Sequence, residues 1–490
     1  MRKAIERYPF FFIGLIAAVS IALHWDKFPL DLAGVHSWRQ AQTQQNIQNF
    51  YREDFNILNP RVNSSTHQEE TPTYRYEFPI MQWGIALVYK VTGESFMVTR
   101  IMVFLIGLCS VACMFFLLKY LLGDVQAALA GAWAFNFSPV FFYFTTCPIP
   151  DNLALCGAIG SLAFFFRFTK TQSWRDALLS AFMLSLGTAA KLPYILFAAP
   201  PAFYILSAFF KKGISNSGKE TLLALIYFVW MLPTFAWYAW VIPTWNNGIV
   251  QGVFESKMTT QEILNTLDYH LKTMFPERLT NWGAVPLLLA GCFYAIKKKA
   301  WQQERFWMLA SMGLLIFAYW GFEFNMIGIV HDYYMMPFLL PLFILIAYGV
   351  KQLLAERHKV KWFFLAFLLT LPSFAFNYTK RDWTPKKAYY NQDLFRYKED
   401  LKNAAPPGSK CIIIQDPLWY VFSYIIDKRG FVFTNEYLPG HWVEDLRKNY
   451  GVTYMYSSSR KVDEDPEVAA NFEELVMERG EIKVFKLKTD

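Results

Sequence analysis

The chain has 490 residues, of which 54% are hydrophobic and 18% are charged, whereas soluble domains carry about 25% charged residues. This composition excludes an ordinary soluble enzyme. The net charge of +8 comes from lysines and arginines in short clusters between apolar stretches, which indicates membrane topology and no nucleic-acid partner.

Stretches of about 20 mostly apolar residues predict membrane-spanning helices. About eleven segments qualify, so the predicted fold class is an α-helical polytopic membrane protein. We expect the first segment to be an uncleaved span, because no small-residue cleavage site follows it. The predicted spans are 9–24, 98–118, 124–145, 152–168, 176–190, 193–210, 221–242, 283–297, 306–326, 335–354 and 362–378.

The loops between these spans alternate in basic content. Cytoplasmic loops are enriched in lysine and arginine, which predicts a cytoplasmic N-terminus and a periplasmic C-terminal segment in a bacterial inner membrane. The basic loops contain Lys119; Arg167, Lys170 and Arg175; Lys211, Lys212 and Lys219; Lys297, Lys298, Lys299 and Arg305; and Arg357, Lys359 and Lys361.

Residues 1–378 are predicted to form one transmembrane domain that includes a long external loop, 25–97. Within that loop, residues 79–93 predict an amphipathic helix at the membrane interface, because counting it as a span would place the later lysine clusters outside. A polar loop of this length is more often functional than a simple connector.

Residues 379–490 have a charged, mixed composition and predict a small soluble α/β domain on the periplasmic side. Buried-strand patterns occur at 410–415, 431–433, 452–456 and 481–486, and residues 440–450 read as a helix. Strands that alternate with helices are typical of an α/β domain.

Ionisable residues next to membrane spans are candidates for function. Glu77 precedes the interfacial helix, and Asp151 stands at the start of the fourth span. Lys191 lies between two short spans. Helix capping is the structural alternative for Asp151, and a side chain that extends to the interface is the alternative for Lys191.

Two further groups stand at the same predicted membrane face. His36, Arg39 and Gln40 lie close to the first span in the external loop. His331, Tyr333 and Tyr334 precede a long apolar helix, where interfacial tyrosines are the structural alternative. Acids together with cations at a lipid–water boundary suit a phosphate-linked lipid, because lysine and arginine pair with phosphate oxygens.

The order and placement of these motifs resemble the GT-C superfamily of glycosyltransferases that use polyprenyl-phosphate sugars. The similar members are of the protein-mannosyltransferase and lipid A aminoarabinose transferase type. The resemblance rests on Trp38-Arg39-Gln40-Ala41, Tyr76-Glu77-Phe78-Pro79, Ser138-Pro139 through Pro150-Asp151, Ala190-Lys191, His331-Asp332-Tyr333-Tyr334, and Tyr424 to Gly430.

The resemblance implies an inverting transfer of a sugar from a polyprenyl-phosphate donor to a lipid, glycan or protein acceptor at the periplasmic face. By this resemblance, Glu77 and Asp151 match acids of the family, and Tyr333 or Tyr334 falls where a tyrosine contacts the lipid phosphate. We predict catalytic roles for Glu77, His36 and Asp151, and substrate contacts for Arg39, Gln40, Lys191, His331, Tyr333 and Tyr334. The chain departs from the family in its first loop, where His36 and Gln42 replace the expected acid. Either His36 or Glu77 then serves as base, or the acceptor needs less activation, or activity is lost.

Three alternatives stay open at this stage: an inactive lipid-binding component, a flippase component, and a lipid-linked oligosaccharide ligase. Transporters usually show internal repeats, and this chain has none, which favours the enzyme. No cofactor is required by the sequence. A divalent metal is an open prediction, with His36, Glu77, Asp151 and His331 as candidate ligands.

Overall fold

The computed structural model describes residues 6–65, 72–245, 258–387 and 391–489. Contacts divide the chain into two compact units. We call the first the membrane unit; it comprises Met1–Phe28, Tyr76–Phe78 and Arg100–Trp383. The second, the sheet unit, comprises Pro29–Arg75, Pro79–Thr99 and Thr384–Asp490.

Helices make up most of the chain up to residue 382. In order they are α1 (Pro9–His24), α2 (Ser37–Arg52), α3 (Ile80–Thr92), α4 (Phe96–Leu122), α5 (Val125–Asn136), α6 (Pro139–Phe144), α7 (Asp151–Thr171), α8 (Trp174–Ala190), α9 (Ala199–Lys212), α10 (Gly218–Val241), α11 (Thr260–Tyr269), α12 (Val285–Lys297), α13 (Glu304–Phe322), α14 (Leu339–Ala355) and α15 (Val360–Asp382). Short 3₁₀ segments precede α9 (Leu192–Ala198) and α14 (Asp332–Phe338), and a π-helical segment, His270–Thr280, follows α11.

The polytopic membrane fold predicted from the sequence is confirmed. Among the described residues, eight helical segments are long and apolar enough to span a membrane, or nine if one bent pair counts as a single span. The predicted count of eleven is not confirmed. The segment 124–145 breaks between α5 and α6, where Pro139 begins a new helix, and α8 and α12 contain only 17 and 13 residues.

Small residues allow helices of the membrane unit to approach closely, as is usual in membranes. A Cβ atom on Gly157 of α7 would lie 2.7 Å from Cα of Gly187 on α8. A Cβ atom on Gly291 of α12 would lie 2.1 Å from the carbonyl oxygen of Leu345 on α14. The first of these contacts fixes α8, whose C-terminal end carries Lys191, against α7, and the second fixes α12 against α14.

The sheet unit contains a six-stranded mixed sheet with the strand order β1-β3-β2-β4-β6-β5. Its strands are β1 (Ser64–Ser65), β2 (Lys410–Ile414), β3 (Arg429–Phe433), β4 (Tyr454–Ser457), β5 (Phe472–Arg479) and β6 (Ile482–Leu487). The first four in the sheet order pair in parallel, and β6 pairs antiparallel with β4 and β5. The helices of this segment are α16 (Gln392–Arg396), α17 (Lys398–Asn403), α18 (Val421–Ile426), α19 (Gly440–Tyr450), α20 (Arg460–Asp463) and α21 (Pro466–Ala469).

The C-terminal α/β prediction is confirmed, since the four predicted strands correspond to β2, β3, β4 and β6 and the predicted helix to α19. Strands β1 and β5 were not predicted. Because β1 pairs with β3, most of the first external loop belongs to the sheet unit, across the predicted boundary at residue 378.

Candidate functional site

A three-residue segment, Tyr76-Glu77-Phe78, belongs to the membrane unit although both its chain neighbours belong to the sheet unit. The Phe78 N–H donates to the carbonyl oxygen of Ala189, at 2.9 Å. The Trp237 Nε1–H donates to the carbonyl oxygen of Tyr76, at 3.1 Å. These two bonds hold the backbone on either side of Glu77, whose side chain is buried.

Lys191 follows the last residue of α8. Its N–H donates to the carbonyl oxygen of Gly187 at 3.0 Å, and its backbone then becomes extended, as expected close to Pro193. The Nζ atom lies 5.1 Å from the ring centroid of Tyr334 and 5.9 Å from that of Tyr333. Both distances fall within the range of cation–π attraction, so the two tyrosines position the ammonium group.

The segment His331–Tyr334 forms the turn that leads into α14. The Tyr333 hydroxyl lies 3.3 Å from Nδ1 of His331, and the ring of His331 lies 4.7 Å from that of Tyr334. Asp332 instead accepts from Arg278 at 2.9 Å and from Trp383 at 2.6 Å. Asp332 therefore anchors the turn, and His331 and Tyr334 face the cavity described next.

These segments enclose a cavity of about 220 Å³, which we call the Lys191 cavity. It combines two carboxylates, one lysine and one histidine with aromatic walls. Its lining residues are Tyr76, Glu77, Lys191, Leu192, Pro193, Tyr238, Trp245, Tyr319, Glu323, Met326, His331 and Tyr334. Four predicted site residues thus meet at one cavity: Glu77, Lys191, His331 and Tyr334.

Glu323 is a cavity residue that was not predicted. It lies immediately after α13, and its N–H donates to the carbonyl oxygen of Tyr319 at 2.9 Å. Burial raises the pKa of Glu323, and the ammonium group of Lys191 partly offsets this rise. The sequence could have identified Glu323, because it lies inside the predicted span 306–326 and an ionisable residue within a span is a functional candidate.

Asp151 and Tyr333 lie beside the cavity and are not among its lining residues. Asp151 is the first residue of α7, it is buried, and Pro150 occupies the N-cap position. Its carboxylate lies close enough to act electrostatically on the hydroxyl groups of Tyr238 and Tyr319, which line the cavity. The acid therefore contributes to the potential in the cavity.

The remaining predicted residues, His36, Arg39 and Gln40, belong to the sheet unit. His36 adopts a left-handed backbone conformation, with φ of 55°, immediately before α2. Arg39 donates to Tyr74 Oη at 3.2 Å, and Gln40 donates to the carbonyl oxygen of Ala33 at 3.0 Å. Both side chains are buried; Gln40 holds the loop that precedes α2, and Arg39 ties α2 to the segment around Tyr74.

The predicted metal ligands do not form a complete metal site within the described residues. Of the four candidates, only Glu77 and His331 line the same cavity. In the described part of the chain, no group of three or more His, Cys, Asp or Glu residues is arranged to hold a metal ion. We therefore derive no catalytic step through a metal.

Part of the chain matches a known protein family. A family model described as dolichyl-phosphate-mannose-protein mannosyltransferase matches residues 73–237, which include Glu77, Asp151 and Lys191. No curated protein sequence matches the chain.

The whole chain is similar in structure to ArnT from Cupriavidus metallidurans. The apo crystal structure of ArnT matches with a TM-score of 0.64 and 14% identity, over 99% of this chain and 98% of ArnT. The structure bound to undecaprenyl phosphate matches with a TM-score of 0.64 and 12% identity, over 98% of each chain.

A more distant similarity links the chain to an oligosaccharyltransferase from Archaeoglobus fulgidus, solved with zinc and sulfate. The TM-score is 0.57 at 12% identity, over 91% of this chain and 67% of the other. The predicted resemblance is confirmed at the level of fold: the chain has the fold of the GT-C glycosyltransferases.

Proposed function

We propose that this membrane protein with a GT-C fold transfers a sugar from a polyprenyl-phosphate donor to a hydroxyl or amino group of a lipid, glycan or protein acceptor. The observation that carries the proposal is the Lys191 cavity, where Lys191 and His331 meet the buried carboxylate of Glu77. The match to a mannosyltransferase family model and the similarity to ArnT, which was solved with undecaprenyl phosphate, support this substrate class.

In this proposal, Lys191 binds the phosphate of the donor and stabilises it as the leaving group. The bond between the anomeric carbon and the phosphate oxygen breaks, and negative charge accumulates on that oxygen. A fixed ammonium group in a partly dehydrated cavity stabilises such charge strongly. Tyr334, at 5.1 Å from Nζ, keeps the ammonium group oriented.

Glu77 is the proposed base. The acceptor oxygen or nitrogen attacks the anomeric carbon from the side opposite the phosphate, which inverts the configuration, and its proton passes to the Glu77 carboxylate. The products are the glycosylated acceptor and a polyprenyl monophosphate. A positioned base contributes about 10²–10⁴-fold to such a reaction. His36 is the alternative base from the sheet unit, while Asp151 acts through the potential at the tyrosine hydroxyls.

The experiment compares sugar transfer from synthetic polyprenyl-phosphate sugars by the purified full chain and by Glu77→Gln, His36→Ala and Glu262→Gln. Glu262 is exposed and caps α11, so Glu262→Gln controls for the loss of a carboxylate. We expect a loss of about 10²–10⁴-fold in Glu77→Gln alone. Normal transfer by Glu77→Gln together with a collapse in His36→Ala would give the role of base to the histidine. Tight retention of polyprenyl phosphate without any turnover would indicate a lipid-binding protein.

We further propose that the protein lies in a bacterial inner membrane with its N-terminus in the cytoplasm, and that residues 379–490 form a soluble domain on the periplasmic side. The support is the alternation of basic loops. Alkaline phosphatase, which is active only in the periplasm, should be inactive when fused after Lys299 and active when fused after Lys488. Equal activity of the two fusions would contradict this orientation.

A further inference from the structure

Three cations lie together near the ends of α7, α13 and α14 that are remote from the Lys191 cavity. Arg305 Nη1 lies 3.5 Å from the carbonyl oxygen of Leu121, and Lys351 Nζ donates to the carbonyl oxygen of Leu122 at 2.7 Å. Both Arg305 and Lys351 act electrostatically on the ammonium group of Lys170. We call Lys170, Arg305 and Lys351 the Arg305 cluster.

The positive charge of this cluster is not balanced within the described part of the chain. No ion pair there links Lys170, Arg305 or Lys351 to a carboxylate. Instead, the cluster contacts the last carbonyl groups of α4, which together carry only about half a negative charge. Three like charges at one place repel each other, so the cluster favours an anion as its partner.

The acids on neighbouring segments are engaged with other groups. Glu304 accepts from Lys211 at 2.9 Å and from Ser207 at 3.1 Å. Asp176 pairs with Arg167 at 3.2 Å. Neither acid pairs with a cation of the cluster, so these two ion pairs do not cancel its positive charge.

A cavity of about 330 Å³ lies beside Arg305. Its walls combine Phe166, Tyr204 and Met308 with the polar side chains of Thr169, Gln303 and Glu304. The carboxylate of Glu304 is already engaged by Lys211 and Ser207. Two exposed tryptophans, Trp301 and Trp307, stand at this end of α13, as is typical of side chains at the headgroup level of a bilayer.

The surface of α13 that continues from the cavity is apolar. Leu315 and Phe322, which lie on the same side of α13 as Met308, are 40% and 45% exposed, respectively, and such a face suits acyl chains. A free anion would use only the charged end, whereas a lipid would use both the charge and the apolar face. This combination favours a lipid as the ligand.

We propose that the Arg305 cluster binds the phosphate headgroup of an anionic phospholipid, whose acyl chains lie along α13. Basic pockets between membrane helices bind such headgroups through charge at the membrane surface. The site is separate from the Lys191 cavity by the length of α13, about 28 Å at 1.5 Å per residue. The proposal does not depend on the proposed transferase activity.

The test measures lipid binding to the delipidated full chain in neutral detergent by native mass spectrometry. The probes are phosphatidylglycerol and phosphatidylcholine with identical acyl chains. The variant Lys170→Gln/Arg305→Gln/Lys351→Gln removes three charges and keeps side-chain N–H donors for the α4 carbonyl groups. The matched control, Lys297→Gln/Lys298→Gln/Lys299→Gln, removes three exposed charges from the loop before α13.

Each removed cluster charge should weaken phosphatidylglycerol binding about fivefold, and the triple variant about a hundredfold, with little change for phosphatidylcholine or in the control variant. The single variant Arg305→Lys should retain most of the binding. Equal losses in the two triple variants would overturn the proposal in favour of non-specific surface charge. Competition by millimolar inorganic phosphate as strong as that by phosphatidylglycerol would overturn it in favour of a free-anion site.

Discussion

The two ends of α13 handle charge in opposite ways. At one end, Glu323 shares a cavity with Lys191 and a second carboxylate, Glu77. At the other end, Arg305 lies with two further cations and, among the described residues, with no paired acid. Glu304 also lies at this second end, but it pairs with Lys211, so the three cations of the cluster have no acid of their own.

The charges in each site determine what the site can do with a ligand. A cavity that contains two carboxylates and an ammonium group can bind a charged substrate and can also accept a proton from it. A cluster of one sign can only attract the opposite sign from its surroundings. The first arrangement suits chemistry, and the second suits retention in an anionic membrane.

The largest expected effect is at the Lys191 cavity. Lys191→Met should lower sugar transfer by about 10²–10³-fold, because it removes the charge that stabilises the leaving phosphate. Lys272→Met is the matched control, since Lys272 is 74% exposed at its side chain. Transfer rates from a polyprenyl-phosphate sugar measure the effect. A Lys191→Met protein as active as the control would contradict the proposal that the cavity at one end of α13 serves catalysis and the cluster at the other end does not.

Two aspartates of the sheet unit provide a second comparison of charge with and without a partner. Burial raises the pKa of Asp416 to about 6, although backbone N–H groups of Leu418 and Phe422 donate to it. Burial also acts on Asp427, but Arg52 and Lys402 outweigh it and lower the pKa of that carboxyl. The presence of a counter-charge therefore decides whether the pKa of a buried aspartate is raised or lowered.

The raised pKa of Asp416 gives a stability prediction with a defined sign. Between about pH 4 and pH 6 the folded chain binds more protons at this carboxyl than the unfolded chain, so its contribution to stability falls as pH rises. A shift of about two units corresponds to about 3 kcal/mol. Asp416→Asn should remove this slope from thermal unfolding measured between pH 4 and pH 7, whereas Glu399→Gln, at an exposed position, should keep it. An unchanged slope in Asp416→Asn would show that the carboxyl is ionised in the fold.

A smaller effect is expected for Glu323→Gln. Removing this negative charge from the Lys191 cavity should lower the KM for the donor by about fivefold, because an anion near the phosphate opposes its binding. The value of kcat should stay within about twofold. A collapse of kcat with unchanged KM would instead identify Glu323 as the base and remove Glu77 from that role.

The smallest effect is expected at the Arg305 cluster. The Lys170→Gln/Arg305→Gln/Lys351→Gln protein should transfer sugar within about twofold of the unmodified protein in neutral detergent, because the cluster lies about 28 Å from the cavity. The transfer assay in detergent checks this independence. A loss as large as that of Lys191→Met would mean that the two ends act as one site.

Much of the fold is predictable from the sequence because membrane spans and buried strands leave strong local patterns. The long apolar stretches became α4, α7 and α10, and the Lys410 strand became β2. The break between α5 and α6 was missed, because Ser138 and Pro139 lie within an otherwise apolar run. Strand β1 was missed because it is two serines, and its pairing with Gly430 and Phe431 is set by residues far along the chain.

The candidate site was predicted in part. The ionisable residues Glu77, Lys191 and His331 stood out because charge is rare next to membrane spans. Their meeting in one cavity depends on packing between α8, α13 and the Tyr76–Phe78 segment, which no local pattern encodes. Glu323 was counted as part of the predicted span 306–326, because a single acid hardly lowers the mean hydropathy of a 21-residue window.

The pairing of β1 with β3 also bears on how the protein is made. Strand β3 has β2 as one neighbour from the C-terminal segment, but its other neighbour, β1, is synthesised before nearly all the membrane helices. Strand β1 therefore stays without this partner until the residues of β3 have been translated. A fragment that contains only the C-terminal segment would expose the edge of β3, and exposed edges promote association between chains.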